Sequence, residues 1–179
     1  TVGGYMAIQG LWAVPWLIEV NGASRADAAG VLFLLSLAML AGFLFVATCA
    51  GWLGRNGVSP KMLLTAVMGL ALVAELAIVV GVAPAVWLWP LLGLSFSLGN
   101  IAYSQLTASF PVALSGRVNT ALNLMVFVGA FVLQWGIGAA VDAFTGSGML
   151  RADAFRTTFS ALLAAQVLAF VWFLVPTKR

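Results

Sequence analysis

Histidine is absent from all 179 residues, cysteine occurs once, and Asp, Glu, Lys and Arg together supply only 7% of the chain. Without histidine there can be no Ser-His dyad or triad, no His-ligated metal and no His-held haem. One cysteine excludes thiolate clusters, and Cys49, inside a long apolar run, reads as a small packing residue. No Walker-type loop and no GxGxxG stands ahead of a helix, and paired intramembrane aspartates are missing. Gly136 and Gly138 sit inside an apolar run, where they read as a close-packing pair. An enzyme, a cofactor and a bound metal are therefore not expected. The eight basic residues form no patch that could follow a phosphate backbone, so nucleic acid is not an expected partner either.

What the chain has in quantity is apolar sequence. Hydrophobic residues make up 63%, and the mean hydropathy is +1.11. A soluble domain carries about a quarter of its residues charged, and a water-soluble core of this size could not hide so much apolar surface. The bilayer is the expected solvent. A helical span needs about 20 apolar residues, and Gly, Pro and charge clusters divide the sequence into six spans at about 3–20, 26–53, 60–81, 84–110, 115–143 and 154–175. The joints are NGASR, GRNGVSP, GVAP, PVALSGR and DAFTGSGMLRADAF, none long enough for a soluble domain. Runs such as VLFLLSLAMLAGFLFVATCA do not alternate as barrel strands do, whereas helices satisfy their own backbone in lipid. The expectation is a single all-α bundle of six transmembrane helices covering residues 1–179.

Loop charge sets its orientation. The joints after the second and fourth spans and the C-terminal tail carry Arg55, Lys61, Arg117, Lys178 and Arg179 and no acid. The opposite joints carry Arg25, Arg151 and Arg156 beside Glu19, Asp27, Asp142 and Asp153. Lys and Arg bias places the richer side, and with it both termini, in the cytoplasm. Trp52, Trp172, Trp87 and Trp89 fall where interfacial aromatic belts are expected. TVGGYMAIQG has no basic n-region and no cleavage pattern, so it reads as the edge of a span and not as a signal peptide. Its abrupt start reads as an excerpt of a longer protein, or as one with a disordered start left out.

Polar residues within the spans fall into stripes. A helix turns ~100° per residue, which puts Tyr5, Gln9, Trp12 and Trp16 on one face of the first span. Gly93, Ser97, Asn100, Ser104 and Thr107 share a face of the fourth, and Asn119, Asn123, Ala130 and Gln134 one of the fifth. Such faces turn toward one another or toward water, so spans one, four and five are expected to line a cavity. Spans three and six, holding little beyond Glu75 and Gln166, are expected to face lipid. Pro15 interrupts the first span and frees a carbonyl. Ala47, Ala50, Gly51 and Gly54 form a small-residue run in the second. AGFLFVATCAGWLGR can be laid on VGAFVLQWGIGAAVD, with Gly42 over Gly129 and Gly51 over Gly138. Those segments end spans of opposite sense, the relation of inverted repeats.

The order of spans, the joint GWLGRNGVSPK, the segment SFPVALSGRVNTALN and the closing WFLVPTKR together resemble the C-terminal six-helix half of a major facilitator superfamily (MFS) transporter. Of that family's G-x-L-A-D-R-x-G-R-K loop signature only Gly51, Leu53 and a shifted Arg55, Gly57 and Lys61 are matched. The resemblance implies two inverted three-helix repeats, a bacterial inner (plasma) membrane, and secondary active transport of a small organic solute by alternating access. It implies cavity-lining helices one, two, four and five, with three and six outside. Gln9, Trp12, Trp16, Asn100, Ser104, Asn123 and Gln134 are the expected substrate-binding residues. A missing N-terminal half, or a second copy, is the expected protein partner. Two other readings stay open: a self-pairing half-transporter, and a non-transporting assembly or receptor subunit in which the stripes join helices.

Overall fold

A computed structural model describes residues 2–82, 84–101 and 110–175. Among the described residues the chain is helical, without strands. The first apolar run forms α1 (Val2–Ala7), a π-helical turn (Ile8–Trp12) and α2 (Ala13–Glu19). Then come α3 (Arg25–Arg55), α4 (Pro60–Val80) and α5 (Ala85–Gly99). After a short 3-10 turn (Val112–Leu114) follow α6 (Ser115–Gly146) and α7 (Arg151–Leu174). Among the described residues four helices, α3, α4, α6 and α7, are each long and apolar enough to cross a membrane. Four such helices point to a multi-pass membrane protein. Six uniform spans are not what the described residues show: the first is interrupted, and the described part of the fourth, α5, is shorter than a span. Ser104, Thr107, Lys178 and Arg179 lie outside the described residues.

The breaks follow from local chemistry. Pro15 cannot donate to the carbonyl four residues earlier, and its ring crowds that turn. The turn immediately before it widens to the i→i+5 pattern, a form found mostly as single bulges at functional sites. Ser24 starts α3 by accepting the Asp27 amide at 3.1 Å, and Ser59 starts α4 by accepting the Met62 amide at 3.1 Å. Each cap satisfies one of the free amides of a first turn. Gly81 closes α4 at φ 75°, a left-handed backbone that a side chain disfavours. The Ser-Pro and Gly signals of the joints are thus the helix ends themselves.

Packing runs α3 on α5, α5 on α4, α4 on α7, α7 on α6 and α6 back on α1. The tightest contact is α3 on α5, where a Cβ at Gly93 would come within 2.7 Å of the Leu35 carbonyl oxygen and one at Gly42 would overlap the Ser97 hydroxyl. Without hydrophobic drive between helices in lipid, such close approach supplies the attraction. The run Ala47, Gly51, Gly54 makes no comparable contact and stays exposed on α3. Trp16, Phe155 and Phe159 form the aromatic centre between α2 and α7, with the Trp16 and Phe159 rings 4.5 Å apart. Glu19 and Arg151 pair at 3.4 Å where α2 ends and α7 begins, an exposed bridge worth ~0–1 kcal/mol. Trp52, Trp87 and Trp172 are exposed as interfacial residues should be. Trp89 is not: it is 1% exposed, with an indole N–H that finds no acceptor among the described residues.

Burial differs among the four membrane-length helices. The buried share of the membrane-length stretch is 28% in α4 and 22% in α7, against 17% in both α3 and α6. Within this chain α4 and α7 are the better covered of these four helices, and α3 and α6 present the more open faces.

Candidate functional site

Trp12 and Gln134 meet. The Trp12 indole N–H donates to the Gln134 backbone carbonyl at 3.0 Å, joining the π turn to α6. The contact exists because two glycines make room for it. A Cβ on Gly10 would stand 3.3 Å from Gln134 Nε2, and one on Gly138 would stand 3.1 Å from the Trp12 ring. Gln9 belongs to the same π turn and is half-buried. Trp16, one turn on from Trp12, is wholly enclosed in the aromatic centre. Asn100 ends α5 and donates to the Phe96 carbonyl of its own helix at 3.2 Å. Asn123 is exposed on α6 among Leu124, Met125 and Phe127, and its side chain has no hydrogen-bond partner among the described residues. It lies eleven residues from Gln134, about 16 Å along the axis at ~1.5 Å per residue. Asn123 and Gln134 thus stand at different levels of α6.

A second polar centre lies between the helices expected to face lipid. Glu75 of α4 is 5% exposed, and Gln166 of α7 is 9% exposed. Gln166 Nε2 donates to both carboxyl oxygens, at 2.9 and 2.8 Å. Gly4 of α1 lies against the Gln166 amide, where an added Cβ would be in ordinary contact at 3.5 Å. A cavity of about 180 Å³ opens beside this pair, walled by α1, α4, α5 and α7. Its polar lining is Tyr5, Glu75, Ser95 and Gln166, and the remainder is apolar, from Val2 and Leu64 to Phe96 and Phe173. Tyr5 stacks on Phe96 with centroids 4.3 Å apart, and its buried hydroxyl has no partner among the described residues. Ser95 donates to the Leu91 carbonyl at 2.8 Å.

Glu75 is visible in the sequence as a lone carboxyl inside a span, but Gln166 is not visible as its partner, 91 residues away. Tyr5 is seen as a stripe residue, while its turn toward α5 is set by stacking on Phe96. No protein family, no curated protein and no solved structure matches the chain.

Proposed function

We propose that the chain is one six-helix half of a secondary active transporter of the major facilitator type, moving a small organic solute by alternating access. In this reading α1, the π turn and α2 form one broken first span, and α5 begins the fourth. The observation that carries the proposal is Asn123: an amide on a membrane-length apolar helix, exposed and without a partner among the described residues. Polar groups in a bilayer face a bundle interior or water, so the open side of α6 faces a cavity or an opposing half. The exposed amide favours this over helix glue within the chain, because glue would be bonded here. Gln9, Gln134, Asn100 and Ser104 complete the proposed lining, with Trp12 fixing the π turn against α6. No cavity-facing Arg or Lys accompanies them, so a neutral organic solute suits this wall best.

Acid-free basic joints put both termini in the cytoplasm. In a Cys49→Ala background, cysteine at Ser147 is expected to react with a membrane-impermeant maleimide added outside, and cysteine at Asn56 is expected to stay unlabelled. The neighbouring Gly148 and Gly57 are unsuitable positions because they hold φ of 95° and 78°. Labelling with the sides exchanged would reverse the orientation. Function is tested by uptake of neutral organic solutes into proteoliposomes. Uptake is expected when the chain is joined or co-reconstituted with its opposing half, and absent from the half alone. A panel giving no uptake in either preparation would favour the non-transporting reading.

A further inference from the structure

We infer that the cavity beside Glu75 is a binding site for a small lipophilic amine, separate from the proposed transport wall and independent of whether the chain transports anything. The wall is rich in acceptors and poor in free donors. The Glu75 carboxyl supplies two oxygens, the Ser95 hydroxyl has donated its proton to Leu91 and keeps its lone pairs, and the Gln166 amide is engaged with Glu75. The Tyr5 hydroxyl is buried and has no partner among the described residues. Such a set is complemented by a ligand that brings N–H donors and positive charge.

Among the described residues no side-chain cation meets that demand. Among the described residues Glu75 has no ion pair, the salt bridge present being Arg151 to Glu19. Lys61 lies over the Phe173 ring at 5.9 Å, fourteen residues from Glu75 and so about 21 Å away along α4 at ~1.5 Å per residue. A buried carboxylate without a cation is unfavourable, and an ammonium group would supply the missing charge.

The remaining wall sets the body of the ligand. A volume of about 180 Å³ compares with cavities of ~150 Å³ that admit benzene, so the space takes one ring with a short alkyl arm. Leu64, Val67, Met68 and Phe173 would clothe it in apolar surface. Val2 opens α1, Leu64 lies in the first turns of α4, and Gly99 and Phe173 close α5 and α7, so the cavity reaches the end of the bundle where those four termini gather.

The test uses 4-phenylbutylammonium and its neutral counterpart 4-phenylbutan-1-ol, with the full-length protein in nanodiscs of zwitterionic lipid. Binding is measured by equilibrium dialysis, with empty nanodiscs subtracted. Saturable binding of the amine is expected, at least tenfold tighter than that of the alcohol. Glu75→Gln keeps an amide partner for Gln166 and is expected to weaken the amine at least tenfold while leaving the alcohol unchanged. Ala71→Phe retains the carboxyl but fills the cavity, and it is expected to abolish binding of both. Equal affinity for amine and alcohol in the unmodified protein would overturn the proposal, as would an amine affinity indifferent to both substitutions. So would the absence of saturable amine binding.

Discussion

Gln166→Leu is expected to lower the free energy of unfolding by about 2–3 kcal/mol, the upper part of the range for a hydrogen bond to a charged group. At ~2–4 °C per kcal/mol for a chain of this size, the thermal midpoint in detergent should fall by about 4–12 °C. Hydrogen bonds between membrane helices average nearer ~0.6 kcal/mol, because the separated helices find other partners. Glu75 has no such substitute. Gln166 is its sole hydrogen-bond partner among the described residues, and hydrocarbon side chains of α4, α5 and α7 surround the pair. Replacing both residues by leucine should recover most of the loss, since removing two buried polar partners together is nearly neutral. Thermal midpoints of the two single variants and the double variant measure the coupling directly. Additive losses would mean that the pair is not an anchor between α4 and α7.

Much of this architecture is legible in the sequence, and its limits are physical. Serine, proline and glycine in the joints give the helix ends, because Ser24, Ser59 and Gly81 act through local backbone geometry. Pro15 marks the broken span, although the π turn ahead of it is a packing outcome that also needs Gly10 and Gly138 to admit Gln134 and Trp12. Periodicity places the polar stripes on faces, but it cannot say which face finds a neighbour. Trp12 and Trp16 share a stripe, yet one bonds to α6 and the other fills the aromatic centre. The Glu75–Gln166 pair is illegible for the same reason, as partners so distant meet only through tertiary packing. The glycines that overlay in sequence differ in use. Gly42 packs on Ser97 and Gly138 on Trp12, whereas a Cβ added at Gly129 would point into open space and one at Gly51 would meet only its own helix's Arg55.

The second large effect concerns the transport wall. For a solute taken up in the proteoliposome assay, Asn123→Leu is expected to remove a hydrogen bond and strand its partner on the solute, costing ~1–3 kcal/mol. Apparent affinity should fall about five- to hundredfold at ~1.4 kcal/mol per decade. Stability should be unchanged or improved, because Asn123 bonds to nothing among the described residues and leucine suits an apolar helix better. Gln166→Leu gives the opposite pattern in the same assays, with stability lost and the affinity of the surviving protein retained. A fall in thermal midpoint with affinity intact at Asn123→Leu would make that residue scaffold.

Alternating access itself can be read without knowing the solute. Asn123→Cys in the Cys49→Ala full-length protein places one thiol on the proposed wall, and right-side-out and inside-out vesicles present its two sides to an impermeant maleimide. The transporter reading predicts labelling in both preparations, with a conformation-locking cross-link on one side of the bundle removing labelling from that side alone. A thiol that reacts from neither side, or from one side whatever the cross-link, would contradict it.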